Sequence, residues 1–225
     1  MLPFTVERFF SVFADYNAAI WPAQIVAYVL LALALWAVFT ERPRAGRFAG
    51  AILGVFWLWN GLAYHLTYFA PINPAAFAFA ALFVVQGLLF LAHAAIGGRL
   101  ALSFGTDWRR IAGLVLIVYA ALVYELLGFL SGHGWPRAPL FGVAPCPTAI
   151  FTFGLLLLTA RPIPIWLVAI PVIWTGIGAT AAILLDIYED LGLLASGVLG
   201  LALLPSWGRR RLDDRSQSPP IDTKS

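Results

Sequence analysis

Charge is what this chain has least of: 11% of its 225 residues are Asp, Glu, Lys or Arg. A soluble domain carries about 25%, so this chain has too little polar surface to hold an apolar core in water. Cysteine is scarcer still. One residue, Cys146, excludes an internal disulfide and says nothing about redox compartment. Lysine occurs once, as Lys224 near the C-terminus, so no lysine in the last apolar run can form a retinal Schiff base. Histidine occurs three times, at His65, His93 and His133, too few for a three-histidine zinc centre when His93 falls near the opposite surface from the other two. No glycine-rich nucleotide-binding loop is present, and residues 1–20 contain Glu7, Arg8 and Asp15 and no cleavable apolar segment.

What is abundant is apolar sequence. The hydrophobic share is 61% and the mean hydropathy +0.87. Long apolar runs at this density predict an all-α, polytopic membrane helix bundle in a single domain over residues 1–208. Residues 4–17 set Val6, Phe9, Phe10 and Phe13 on one helical face and Glu7, Arg8, Ser11 and Asp15 on the other. That pattern suits an amphipathic interfacial helix, and equally a short lid packed on the bundle. Seven spans follow, at about 20–39, 48–69, 74–96, 110–130, 146–160, 163–185 and 191–204. A basic and then polar tail occupies 209–225.

The arginines orient the bundle. Arg42, Arg44 and Arg47, then Arg99, Arg109 and Arg110, then Arg161, then Arg209 to Arg211, Arg215 and Lys224 all fall in alternate connections. Twelve of fourteen basic residues thus share one side, with Arg8 and Arg137 opposite. Basic connections stay in the cytoplasm, so the N-terminus is expected outside, the C-terminus inside, and the protein in a bacterial inner membrane with the lipid bilayer as its partner. The basic residues do not form one face, which argues against nucleic acid. Oligomeric state is not encoded in any of these features.

The direction of each span assigns a depth to its polar residues. His65, Glu125, His133, Cys146 and Asp186 all fall in the outer half and form the candidate polar site. Ionisable groups at membrane depth are rare and face interiors or wet cavities. Glu125, set within YELLGF, reads as a proton or cation site, or as a carboxyl snorkelling to the interface. His65 reads as a ligand or as a hydrogen-bonded interfacial histidine. Asn60 and Gln86 are expected to bond between helices. Gly176 and Gly178 mark close packing, and the 186–190 acidic cluster reads as a solvated loop or, second, as a collector of cations at the outer mouth.

Around Cys146 the chain is broken. Pro136, Pro139, Pro145 and Pro147 interrupt an apolar stretch, because proline lacks the N–H and clashes with the preceding turn. Non-helical backbone at membrane depth needs protein or a cavity to satisfy its polar groups. The stretch is therefore either a half-embedded approach to a helix beside a binding site or a buried structural turn. Cys146 and His65 are the candidate ligands should a soft metal bind; no other cofactor is indicated.

Three phrases, LPFTVERFFSVFADYN–WPAQ, AYH–FAPINPAA and PRAPLFGVAPCPT–IFTFGLLLL, resemble a family of bacterial multi-spanning membrane proteins known as a domain of unknown function, some of whose members carry permease labels. The resemblance covers nearly the whole chain and implies a membrane bundle without implying site residues. The PCPT string is similar to the Cys-Pro motif of heavy-metal transport ATPases, but the soluble ATP-binding domains are missing. The functional expectation is a small permease or solute-binding membrane protein. A membrane-embedded sensor or interaction protein is the alternative, and an intramembrane metal-dependent enzyme ranks last, because no nucleophile–base pair is visible.

Overall fold

The computed structural model describes residues 3–96 and 100–203, and they form eight helices. Arg99, Leu204 and the 209–225 tail, with its arginines and Lys224, lie outside the described residues. Helix α1 covers Val6–Ala19; Thr5 caps it, its side chain accepting from the Arg8 N–H. Helix α2 covers Ala23–Thr40 and ends where Glu41 turns left-handed. Helix α3 runs over Pro43–Trp59 and continues as a π-helix over Asn60–Phe69. Helix α4 is Ala76–Ala95. Helix α5, Trp108–Leu130, starts at the Asp107 cap and contains a π-helical turn over Tyr119–Val123. Helix α6 is Pro145–Leu157; α7 begins in a 3-10 turn and covers Ile165–Leu185; α8 is Leu191–Leu203.

Four of these, α2, α4, α5 and α7, are long and apolar enough to cross a membrane. Their outer faces are apolar: Val29, Trp36, Phe77, Val115, Leu122 and Ile183 are all exposed. Such a continuous apolar surface is unfavourable in water and ordinary against lipid. The predicted spans 48–69, 146–160 and 191–204 correspond to α3, α6 and α8. Of these, α6 and α8 have 13 residues each and reach about 20 Å, short of the roughly 30 Å of a bilayer core.

Helix α6 is the axis of the bundle. Every residue in it except Cys146 is buried. Pro145 at its first position and Pro147 at its third sit where a helix has no internal acceptor waiting for an N–H, so the prolines start the helix instead of breaking it. Helix α5 packs tightly on α6. A Cβ on Gly113 would lie 2.8 Å from the Gly154 carbonyl oxygen, and one on Gly154 would lie 2.9 Å from that of Gly113. Gly178 likewise lets α7 close on Leu193 of α8, whereas nothing lies within 4 Å of a Cβ placed on Gly176, so only the second of this expected pair marks tight packing.

The two ends of the bundle differ in chemistry. At one end residues 100–103 run beside 158–160, with the Ser103 N–H donating to Leu158 O at 2.9 Å. There Arg109 Nη1 donates to the carbonyls of Leu157 (2.7 Å) and Thr159 (2.8 Å), a cation at the negative C-terminus of α6. Exposed Arg42 and Arg161 lie in the neighbouring connections, and exposed Arg44 and Arg47 in the first turns of α3. The opposite end carries α1, the 131–144 stretch and the turn 186–190. Helix α1 lies on the bundle as a lid: Phe10, Val12, Phe13 and Tyr16 are buried while Glu7, Arg8 and Asp15 remain exposed.

Candidate functional site

The broken stretch before α6 is a buried turn whose backbone is bonded by side chains. The Tyr16 hydroxyl donates to Val143 O at 2.7 Å. Asn17 Nδ2 donates to the carbonyls of Pro136 (2.7 Å) and Ala138 (2.8 Å). Asn60 Nδ2 reaches Gly142 O at 3.1 Å, along with Phe56 O at 2.8 Å and Thr148 Oγ1 at 3.2 Å. Gly142 itself adopts φ +72°, and a Cβ there would meet the Phe56 ring at 3.0 Å.

Glu125 belongs to this same scaffold. Its Oε1 accepts from the Tyr28 hydroxyl (2.6 Å) and from the Phe141 N–H (3.0 Å). The carboxylate thus ties α2 and α5 to the turn, and it is not in the wall of the cavity described next. Gln86 bonds between helices, Nε2 donating to Leu167 O at 3.0 Å.

A cavity of about 350 Å³ opens between α1, the outer turn of α3, the start of α4 and the last turns of α7. Most of its wall is aromatic and aliphatic; the polar groups are His65, Asn73, Cys146, Trp174, Thr180 and Asp190. The π-helical winding of Asn60–Phe69 turns Tyr64 and His65 inward, and both are buried. π-helical segments recur at functional sites because the widened turn re-aims side chains. His65 is 1% exposed and packs edge-on against Phe83 (ring centroids 4.7 Å apart) and Trp174 (5.2 Å). Neither of its ring nitrogens has a hydrogen-bond partner, and neither has the indole N–H of Trp174, 6% exposed. Buried polar groups are nearly always bonded. The imidazole of His65, unpartnered on a cavity wall, is the strongest mark of a ligand site among the described residues.

At the inner wall the Cys146 thiol, at the N-terminus of α6, neighbours Asp190 and Trp174. Asp190 accepts from the Tyr124 hydroxyl at 2.6 Å. Burial pushes the Asp190 carboxyl up to about 7, against the opposing pull of the Tyr124 and Cys146 hydrogen bonds. Glu189 beside it is fully buried, is also raised by burial, and faces His133 Nδ1 at 3.7 Å. His133 stacks on Phe10 (centroids 4.0 Å apart), outside the cavity. Asp186, exposed and left-handed (φ 55°), ends α7 and borders a second depression of about 280 Å³ between α7 and α8.

Of the five candidate residues the structure therefore brings His65 and Cys146 together in one wall and sets Glu125, His133 and Asp186 apart from it. The expectation of a solvated 186–190 loop is corrected: Asp186 is exposed, but Glu189 and Asp190 fold under Tyr119 and Tyr124. Trp174 was not singled out by sequence, and Asp190 was read only as part of the acidic cluster. Trp174 lies in an apolar span beside Thr175, which reads as a packing residue, and nothing in the sequence separated Asp190 from its acidic neighbours. Among the described residues no three His, Cys, Asp or Glu side chains converge to hold a metal ion.

Fold and site together define an all-helical protein with four helices long and apolar enough to cross a membrane and an aromatic-walled cavity at the end opposite Arg42, Arg44, Arg47, Arg109 and Arg161. The chain belongs to the DUF6064 family, a family of unknown function, whose model matches residues 6–214. No curated protein and no solved structure matches it.

Proposed function

We propose that this is a polytopic protein of the bacterial inner membrane that takes a small solute into the cavity beside His65, as a small permease or solute-binding protein. In this reading the chain crosses seven times, with α1 outside and the arginine-bearing connections in the cytoplasm. The observation that carries it is His65, buried on a cavity wall with both ring nitrogens unpartnered. An imidazole held this way is unfavourable in the empty fold and becomes favourable when a solute bonds to it. Its wall is largely preformed and apolar with few polar groups, as small-molecule sites are.

Native mass spectrometry of the full-length protein in detergent tests the reading. Expected is a bound small molecule on the wild type that is lost from His65→Phe and from Thr180→Trp, a variant that blocks the exposed mouth. Identical ligand occupancy in all three would remove the cavity from the function. Counterflow in proteoliposomes then separates a permease from a sensor that binds without flux.

A further inference from the structure

The lining of the same cavity constrains the charge of what enters, on the assumption that it is a solute site. Among the described residues no lysine or arginine lines it, so an anion would find no counter-charge. One carboxyl does line it: Asp190, 4% exposed, with the fully buried Glu189 next to it in the chain. Neither Glu189 oxygen is hydrogen-bonded, and the side chain facing it is His133, 3.7 Å away and outside the cavity. The inner wall therefore offers one acidic group and no basic one in an apolar setting, where a cation that pairs with the ionised carboxyl offsets the cost of its burial. The remaining wall is built from Phe9, Phe13, Tyr64, Phe69, Phe79 and Trp174. Aromatic faces attract a cationic head and pack against an apolar body.

A bare inorganic cation is a poor match, since hard cations take six or more oxygen ligands and this wall is mostly carbon. A neutral apolar solute would leave Asp190 unanswered. From these groups we infer that the cavity binds a small organic cation, a quaternary or protonated amine on an apolar or aromatic body, with Asp190 as counter-ion and the ring wall as its cage. His65 and Trp174 face a polar substituent of that solute, one able to accept from the indole N–H and to bond the imidazole. At about 350 Å³ the space holds a single ring with a compact head group. Its wall reaches the surface at half-buried Phe79 on α4 and at the exposed Thr180 and Leu184 on α7.

The test compares benzyltrimethylammonium with neopentylbenzene, its uncharged isostere, by calorimetric titration of the full-length protein in detergent against protein-free micelles. Expected is saturable one-to-one binding of the cation, about ten-fold or more tighter than the isostere. Asp190→Asn should erase that preference, and Phe79→Leu should weaken the cation about three-fold while leaving the isostere unchanged. Equal affinity for both compounds in the wild type overturns the charge assignment while leaving a solute cavity in place. So does wild-type cation affinity in folded Asp190→Asn. Should Asp190→Asn fail to fold, Phe79→Leu decides alone, and wild-type affinity there rejects the ring cage. Binding of neither compound, with native spectra unaltered by Thr180→Trp, rejects the solute site altogether.

Discussion

Two sets of buried polar side chains lie near the same end of this bundle and differ in one respect. Around the 136–144 turn, Tyr16, Asn17, Asn60 and Glu125 each bond a backbone group of the turn. Around the cavity, His65 and Trp174 bond nothing, and Asp190 holds a phenol in an apolar wall. Side chains that bond the turn specify structure even though Asn17 Oδ1 and Asn60 Oδ1 lack a partner, whereas the His65 imidazole makes no bond through either nitrogen. The comparison separates scaffold from site more sharply than residue type does. Glu125, the most conspicuous acid in the sequence, is scaffold. His65, a histidine among aromatic-belt residues, is the residue on which the proposed site rests.

The contrast can be broken most directly in the scaffold. Asn60→Leu strands the Gly142 carbonyl in the core and should lower stability by about 3 kcal/mol, seen as a drop in the thermal midpoint of the purified protein. Glu125 offers a finer test, because both of its hydrogen bonds arrive at one oxygen. Glu125→Gln keeps an amide oxygen there and should stay within about 1 kcal/mol of wild type, while Glu125→Leu should lose about 2 kcal/mol. Ligand occupancy should be unaffected by Glu125→Gln; a collapse of binding would move Glu125 back into the site.

On the cavity side the expected effects on stability are smaller. A carboxyl raised to about 7 by burial, against about 3.9 unfolded, binds more protons in the folded state across that interval. Stability contributed by Asp190 is therefore greatest below the unfolded value and falls as pH rises towards 7. Raising the pH from 6 to 7.5 should weaken the ligand-free protein by about 1 kcal/mol, and Asp190→Asn should flatten the slope. Tyr64, Tyr124, Cys146 and Glu189 act on the same carboxyl, so a slope surviving in Asp190→Asn would reassign it to Glu189, whose shift has the same direction. Smallest is His65→Phe. It removes an unpartnered imidazole from an aromatic cluster and should leave stability unchanged or raise it by up to about 1 kcal/mol, while abolishing ligand retention. A marked loss of stability would place His65 with the scaffold.

The helix-forming segments were legible from composition and apolar runs, and the described helices fall within a few residues of the expected 20–39, 74–96, 110–130 and 163–185. Pro145 and Pro147 were read as interrupting the chain, whereas both fall within the first turn of α6, where a proline is tolerated. The π-helical winding from Asn60 to Phe69 was not legible, because a 3.6-residue period is assumed in any face assignment and a wider turn shifts each later side chain around the axis. Nor could sequence sort Glu125 from Asp190. Their partners, Phe141 and Tyr28 for one and Tyr124 for the other, are 16, 97 and 66 residues away.

Sequence by itself determined that this chain is helical and apolar, where its helices begin and end, and on which connections its arginines lie. Those properties follow from local periodicity, from proline and from charge spacing, each of which acts over a few residues. Tertiary structure alone decided which buried polar groups are paid in hydrogen bonds and which face a cavity. Satisfaction is a property of pairs brought together by packing, and no single position in the chain carries it.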